Sequence, residues 1–187
     1  SLIAITSVLW AAVHAQSDAA TMERNKGLAL EFYEQLWNTN NTERYVDYMA
    51  AEYRVHDIGD RKNTLEPAVE QKNIADFFWS NGDMQVEVDY QIADRDLVAT
   101  RWLWQYQPKT LFGRVALGST GVPIINVFRF NDEGQIVEVW NHRHDIDTGM
   151  TLRFVVRGFL YGVLLMLIPL LLLRARWKKR LRALTNA

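Results

Sequence analysis

Few side chains here can move a proton near neutral pH. The chain holds four histidines and no cysteine, so thiol nucleophiles, thiolate metal sites and disulfide staples are excluded. Three of the histidines stand near carboxylates. Asp57 follows His56, Glu138 shares an even spacing with His142, and Asp145 follows His144. An imidazole whose tautomer is fixed by a neighbouring carboxylate is suited to acid–base chemistry. Period two along a strand sets Glu138, Trp140, His142 and His144 on one face, and Val137, Val139, Asn141 and Arg143 on the other. If the Trp140 face turns inward, Glu138 and His142 become pocket groups. His142 and His144 lack a confirming further ligand motif, so no metal is expected. A Gly-rich phosphate loop, a dinucleotide fingerprint and a nucleophile elbow are missing, and no cofactor is expected. Arg101 and Arg129 suit ion pairs across a sheet or the anchoring of a substrate.

These residues need elements to position them. Leu28, Phe32, Leu36 and Tyr33, Trp37 recur at helical spacing over Met22–Trp37, and the run Asn38–Asn41 stops that helix. A short helix over Glu43–Ala50, opened by Asn40, and another over Ala68–Phe78 after Pro67 follow. An extended piece at Tyr53–Asp57 leads into the polar loop DIGDRKNT. Beyond Gly82 the period drops to two. Strands are predicted at Met84–Ile92, Leu97–Tyr106, Leu111–Leu117, Pro123–Phe130 and Gln135–His142, joined by connectors short enough for antiparallel hairpins. Helices first and a meander after predict an α+β domain of three N-terminal helices on a curved antiparallel sheet. Its pocket would draw on Tyr33, Tyr53, Trp79, Trp102, Trp104, Tyr106, Phe128, Phe130 and Trp140, a set rich enough in aromatics to hold a small apolar ligand.

The ends of the chain differ from its middle. The formal charge of −1 averages two unlike parts: residues 157–187 carry seven basic and no acidic side chains, while residues 1–156 carry 14 basic and 22 acidic ones. Residues 154–173 form an apolar stretch of membrane-spanning length, followed by RARWKKRLR in the tail 174–187. The positive-inside rule puts that tail in the cytoplasm and the folded part on the outer or periplasmic side of a single-pass protein. The basic tail is expected to meet membrane lipid rather than nucleic acid. Residues 1–15 read as a signal-like or anchoring apolar segment ending in VHA.

The runs ERNKGLALEFYEQLWN, YRVHD, VEVDYQIADRDLVATRWLWQY and STGVPIINVFRFNDEGQIVEVWNHRHD resemble the SnoaL-like polyketide cyclases of the NTF2-like superfamily. The resemblance spans Glu23–Asp145, within a domain bounded at 22–147, and implies a cone-like fold enclosing a pocket. It also implies a His/Asp pair that moves a proton on a carbon beside carbonyls. The family histidine falls on His56. The family's late acid, four residues after a tryptophan, would fall on His144 when counted from Trp140, and the acid itself stands one place later at Asp145. In a regular strand that offset reverses the face.

Two functions follow. The first is a membrane-anchored binding or assembly subunit of a larger membrane complex, with a homodimer as a further partnership. The alternative is a cofactor-free cyclase, isomerase or hydratase acting on a small apolar carbonyl compound. There His56, His142 and Asp145 would be catalytic, and Tyr33, Tyr53, Trp79, Trp104 and Trp140 would shape the pocket.

Overall fold

The computed structural model describes the backbone of residues 2–56, 58, 61–143 and 150–185, and side-chain surroundings at 16–56, 58, 61–143, 154–179 and 181–182. The chain divides into two units, Ser1–His144 and Asp145–Ala187.

The first unit opens with helix α1, Leu2–Tyr33, extended by a wider π turn over Glu34–Asn38. The helix therefore begins well before Met22. Asn25, Ala29, Phe32 and Leu36 form its buried stripe at helical spacing. The predicted stop at Asn38 is observed, and its cause is visible. The Asn38 side chain accepts a bond from the Val86 backbone N–H at 2.5 Å and donates to the Val86 carbonyl at 3.1 Å, as a strand neighbour would. Asn40 then takes a left-handed backbone at φ 58°. This removes the capping role expected of Asn40. Asn41 stands at the cap position and makes no side-chain capping bond. The second helix shrinks to a 3₁₀ turn, Thr42–Arg44, and a single turn α2, Tyr45–Tyr48, because Met49 already begins a buried strand.

Strands β1 (Met49–His56) and β2 (Thr64–Pro67) precede helix α3 (Val69–Asn81), which passes directly into β3 (Gly82–Asp94). Strands β4 (Leu97–Pro108), β5 (Thr120–Phe130) and β6 (Ile136–Arg143) complete one six-stranded sheet in the order β2-β1-β6-β5-β4-β3. The α+β class is as predicted, but the sheet is mixed rather than antiparallel. β1 runs parallel to β6, which a sequence reading of adjacent hairpins could not reveal.

The predicted strand at Leu111–Leu117 is instead a π-helical turn over Gly113–Leu117 within the β4–β5 connection. Its alternation of apolar residues misled because no ladder is available to it. β4 ends at Pro108, which lacks an N–H for pairing, and β5 already pairs at Thr120 with Tyr106.

Helix α1 lies against β3 and β4, and α3 against β3. The core forms where Phe32 and Tyr33 meet Phe128 and Trp102, with ring centroids 5.0–5.8 Å apart.

The second unit contains helix α4, Met150–Thr185, with Pro169 inside it. Its Phe154–Lys179 stretch of 26 residues holds an 18-residue window of mean hydropathy 2.2, by length and composition apolar enough to cross a membrane, and none of that window is buried within the chain. The basic residues from Arg174 to Arg182 lie on the same helix.

The join between α3 and β3 leaves no room at Gly82. A Cβ there would run into the Gln107 carbonyl and lie 2.7 Å from the Tyr106 ring. Gly82→Ala is therefore expected to lower unfolding stability by roughly 1–3 kcal/mol, as overpacking does, read by urea denaturation.

Candidate functional site

Cross-strand register decides which side chains meet the helices. Phe128 pairs with Val139, Asn126 with Asn141 and Ile124 with Arg143 across β5 and β6, while Trp102 on β4 pairs with Ile124. All seven share the face covered by the helices. Together with Phe32, Tyr33 and Trp37 from α1 and its π turn, Gln71, Ile74 and Phe78 from α3, Trp104 from β4, and Ile58 and Arg61 from the β1–β2 loop, they line a cavity of about 280 Å³.

The body of this cavity is aromatic. Trp104 stacks on Tyr106 with centroids 5.5 Å apart, and Phe78 meets Trp104 edge-on at 5.0 Å. Polar groups stand at defined points around it. The Trp102 indole donates to Asn126 Oδ1 at 2.6 Å. Gln71 Nε2 donates to the Tyr53 hydroxyl at 2.7 Å, and that hydroxyl donates to Glu66 Oε2 at 2.9 Å. Arg61 closes the chain, with one nitrogen 2.9 and 3.1 Å from the two Glu66 oxygens. Burial, reinforced by the Glu66 charge, raises the Tyr53 phenol above its ordinary value and keeps it a donor. Burial also raises the Tyr33 phenol well above its ordinary value. Three buried donors of the lining have no partner among the described residues: the Tyr33 hydroxyl and the indole nitrogens of Trp37 and Trp104. Unpaired buried donors are uncommon, and each calls for an explanation.

The residues predicted from sequence are divided by this register. Tyr33 and Trp104 line the cavity, and Tyr53 stands behind it, holding Gln71 and Glu66. Trp79 does not line it. Its indole donates to the Leu36 carbonyl at 2.8 Å and ties α3 to the end of α1. The Trp140 face points away from the cavity, because Val139 and Asn141 take the covered side. Trp140 instead stacks on His56, centroids 4.3 Å apart and planes 5° apart. His56 Nε2 lies 2.8 Å from Glu138 Oε2, and its Nδ1 lies 2.7 Å from Asn63 Oδ1. Arg129 places its guanidinium carbon 5.8 Å from the Trp140 ring centroid, with Nε 3.7 Å from Glu138 Oε1. This is a closed polar cluster on the opposite face of the sheet. His142 is exposed opposite Ile125, and neither histidine lines the cavity. Asp145 and His144 lie outside the described residues.

The sequence reading missed Trp37, Arg61, Gln71, Asn126, Asn141 and Arg143 as cavity groups. The pair Asn126–Asn141 was within reach: fixing Phe128 as core puts both on its face at period two. Arg61 carries no periodic signal, since it sits in an irregular loop.

The description of the SnoaL-like polyketide cyclases matches residues 27–149. The chain belongs to that family. Solved structures agree on an NTF2-like arrangement of helices over a mixed sheet. A candidate polyketide cyclase from Acidithiobacillus ferrooxidans is 20% identical, with 70% of this chain and 94% of that one covered at a TM-score of 0.57. AclR, a candidate hydroxylase from Streptomyces galilaeus, is 19% identical over 71% and 97% of the two chains, TM-score 0.56. TsrD from Streptomyces laurentii is 16% identical over 71% and 96%, TM-score 0.55. No curated protein matches this sequence. At these identities the likeness is one of fold, and the names attached to it span more than one chemistry.

In this SnoaL-like domain, Tyr53→Phe removes the hydroxyl that joins Gln71 to Glu66. The variant is expected to lose about 1–3 kcal/mol of stability, the cost of leaving buried polar partners unpaired, as read by thermal or urea unfolding.

Proposed function

We propose that this SnoaL-like protein binds a small apolar carbonyl compound in the aromatic cavity and transfers a proton at the carbon beside the carbonyl, giving cyclisation, isomerisation or hydration. One observation carries the reading: Trp37 and Trp104, two wall residues of a largely aromatic cavity, have buried indole N–H groups with no acceptor among the described residues. A carbonyl oxygen would satisfy such a donor and strengthen the bond as it gains enolate charge. Arg61, its charge met by Glu66, and Arg143 add guanidinium donors to the same lining. The aromatic walls exclude water and so strengthen each of these interactions.

The base in this proposal is Asp145. It is the acid to which the family resemblance leads. His56 and His142, away from the cavity, have no step in this chemistry.

A second reading draws on a different observation. Among the described residues, the cavity lining holds no carboxylate and no imidazole. On this reading the domain binds its ligand without turnover, as a binding or assembly subunit of a membrane complex. Both readings use α4 as a membrane anchor, with the basic end Arg174–Arg182 cytoplasmic and the domain on the outer side.

The test begins with mass identification of the small molecule that co-purifies with the full chain in detergent. Trp104→Phe keeps the ring and removes the donor, and is expected to weaken binding of that compound about tenfold, the value of one hydrogen bond near 1.4 kcal/mol. Asp145→Asn is expected to lower turnover on the order of 10²–10⁴-fold with affinity nearly unchanged, while His56→Ala leaves turnover within a few-fold. Unchanged turnover in Asp145→Asn would remove the proposed base. A compound that is bound but never converted would leave the subunit reading standing.

A further inference from the structure

The β4–β5 connection presents apolar side chains to water in an unusual way. Leu111 is 80% exposed and Phe112 55%, and Val115 and Phe77 beside them are more than 40% exposed. Phe112 meets Phe77 edge-on with centroids 6.2 Å apart, which joins the connection to α3 in one patch.

The projection is built, not loose. The backbone N–H groups of Lys109 and Thr110 both donate to the Asn81 carbonyl, at 2.9 and 3.2 Å. The Thr110 hydroxyl donates to Asn81 Oδ1 at 2.9 Å and accepts the Gly113 N–H at 2.9 Å. Only glycine fits at 113, where a Cβ would stand 2.6 Å from the Asn81 carbonyl oxygen, and Gly118 closes the turn at φ 72°. Hydrogen bonds thus hold Leu111 and Phe112 outward, where apolar surface is costly unless something covers it.

We propose that residues 109–118 form a membrane-interface contact, seating Leu111 and Phe112 among the acyl chains just below the lipid headgroups. Two features select a lipid surface over a protein partner. Lys109, paired with Asp83 at 2.6 Å, and Arg114 flank the apolar tip, and the run KTLFGRVALGS contains no acid, so the tip keeps a net positive charge that suits anionic headgroups. The register places the tip at a particular end of the sheet. β5 begins at Thr120, and Ile124, four residues on, pairs with Arg143 at the end of β6. β6 therefore ends at the same end of the sheet that carries the tip. That end also carries Ile58 and Arg61 of the cavity, on the loop after β1, which runs parallel to β6. The inference rests in part on the reading of α4 as an anchor, and the experiment separates the two.

The chain has no native cysteine, so Leu111→Cys in the full chain takes one environment-sensitive fluorophore. Glu133→Cys, exposed in the β5–β6 turn at the other end of the sheet, is the control, and Phe112→Cys repeats the reading from the adjacent side chain. The labelled chains are reconstituted into vesicles of phosphatidylcholine and phosphatidylglycerol, with and without doxyl-labelled lipid. The expected result is a blue shift at 111 and 112, with lipid-borne quenching several-fold greater than at 133. Emission at 111 as water-like as at 133, in chains that resist an alkaline carbonate wash, overturns the contact and leaves the anchor intact. Chains released by carbonate yet quenched at 111 before release support the contact and remove the anchor. A blue shift without lipid quenching indicates a protein surface over the tip and overturns the proposal.

Discussion

The packing of Phe32 and Tyr33 on Phe128 and Trp102 is the contact on which the rest of the domain depends. Four aromatic side chains meet within ordinary ring-contact distance and bury one face of the sheet. Once Phe128 is committed to the helices, pleating commits Asn126 and Ile124 to the same side. Pairing then commits Val139, Asn141 and Arg143. The cavity is the space this arrangement leaves between sheet and helices, and its polar groups are those the register happens to expose there. His56 is lost to the cavity by the same rule: it sits beside Trp140 in the parallel β1–β6 pair, while Val55 and Val139 fill the covered side.

Much of the architecture was legible because it rests on local signals. The stripe Leu28–Phe32–Leu36, the asparagine-rich stop after Trp37 and the period-two runs from Gly82 onward all report the environment of a single element. The parallel β1–β6 pair was not legible, since nothing in either strand names its partner. Nor was the fate of Leu111–Leu117, where alternation was genuine but the partner strands were already joined to each other from Tyr106 and Thr120 onward. Alternation shows that a segment has two faces; it does not show that a ladder exists to use them.

The site was legible in its material and not in its orientation. Tyr33, Trp102, Trp104 and Phe128 were recognisable as pocket-forming aromatics, and they line the cavity. The histidines drew attention through chemical type, yet side-chain chemistry carries no information about which face a strand turns inward. Glu138, Trp140 and His56 form a mutually satisfied cluster, with His56 bonded at both ring nitrogens. Such a cluster suits the stabilisation of a sheet surface better than the reception of a substrate. The polar groups that do reach the cavity are amides, indoles and guanidinium groups, which a search for titratable residues passes over.

The parallel pairing of β1 and β6 has a consequence for biosynthesis. His56 and Glu138 are 82 positions apart, so β1 is translated long before the strand that flanks it. Until residues 136–143 emerge, β1 has only the four-residue β2 beside it, and β5 lacks one of its two neighbours. A non-local contact of this kind forms late, and open strand edges are vulnerable while they wait. The strand that closes the sheet is also the last element before the apolar helix α4. The ribosome therefore delivers the strand that completes the sheet and the long apolar stretch of α4 in close succession, with little interval for the first to pair before the second appears.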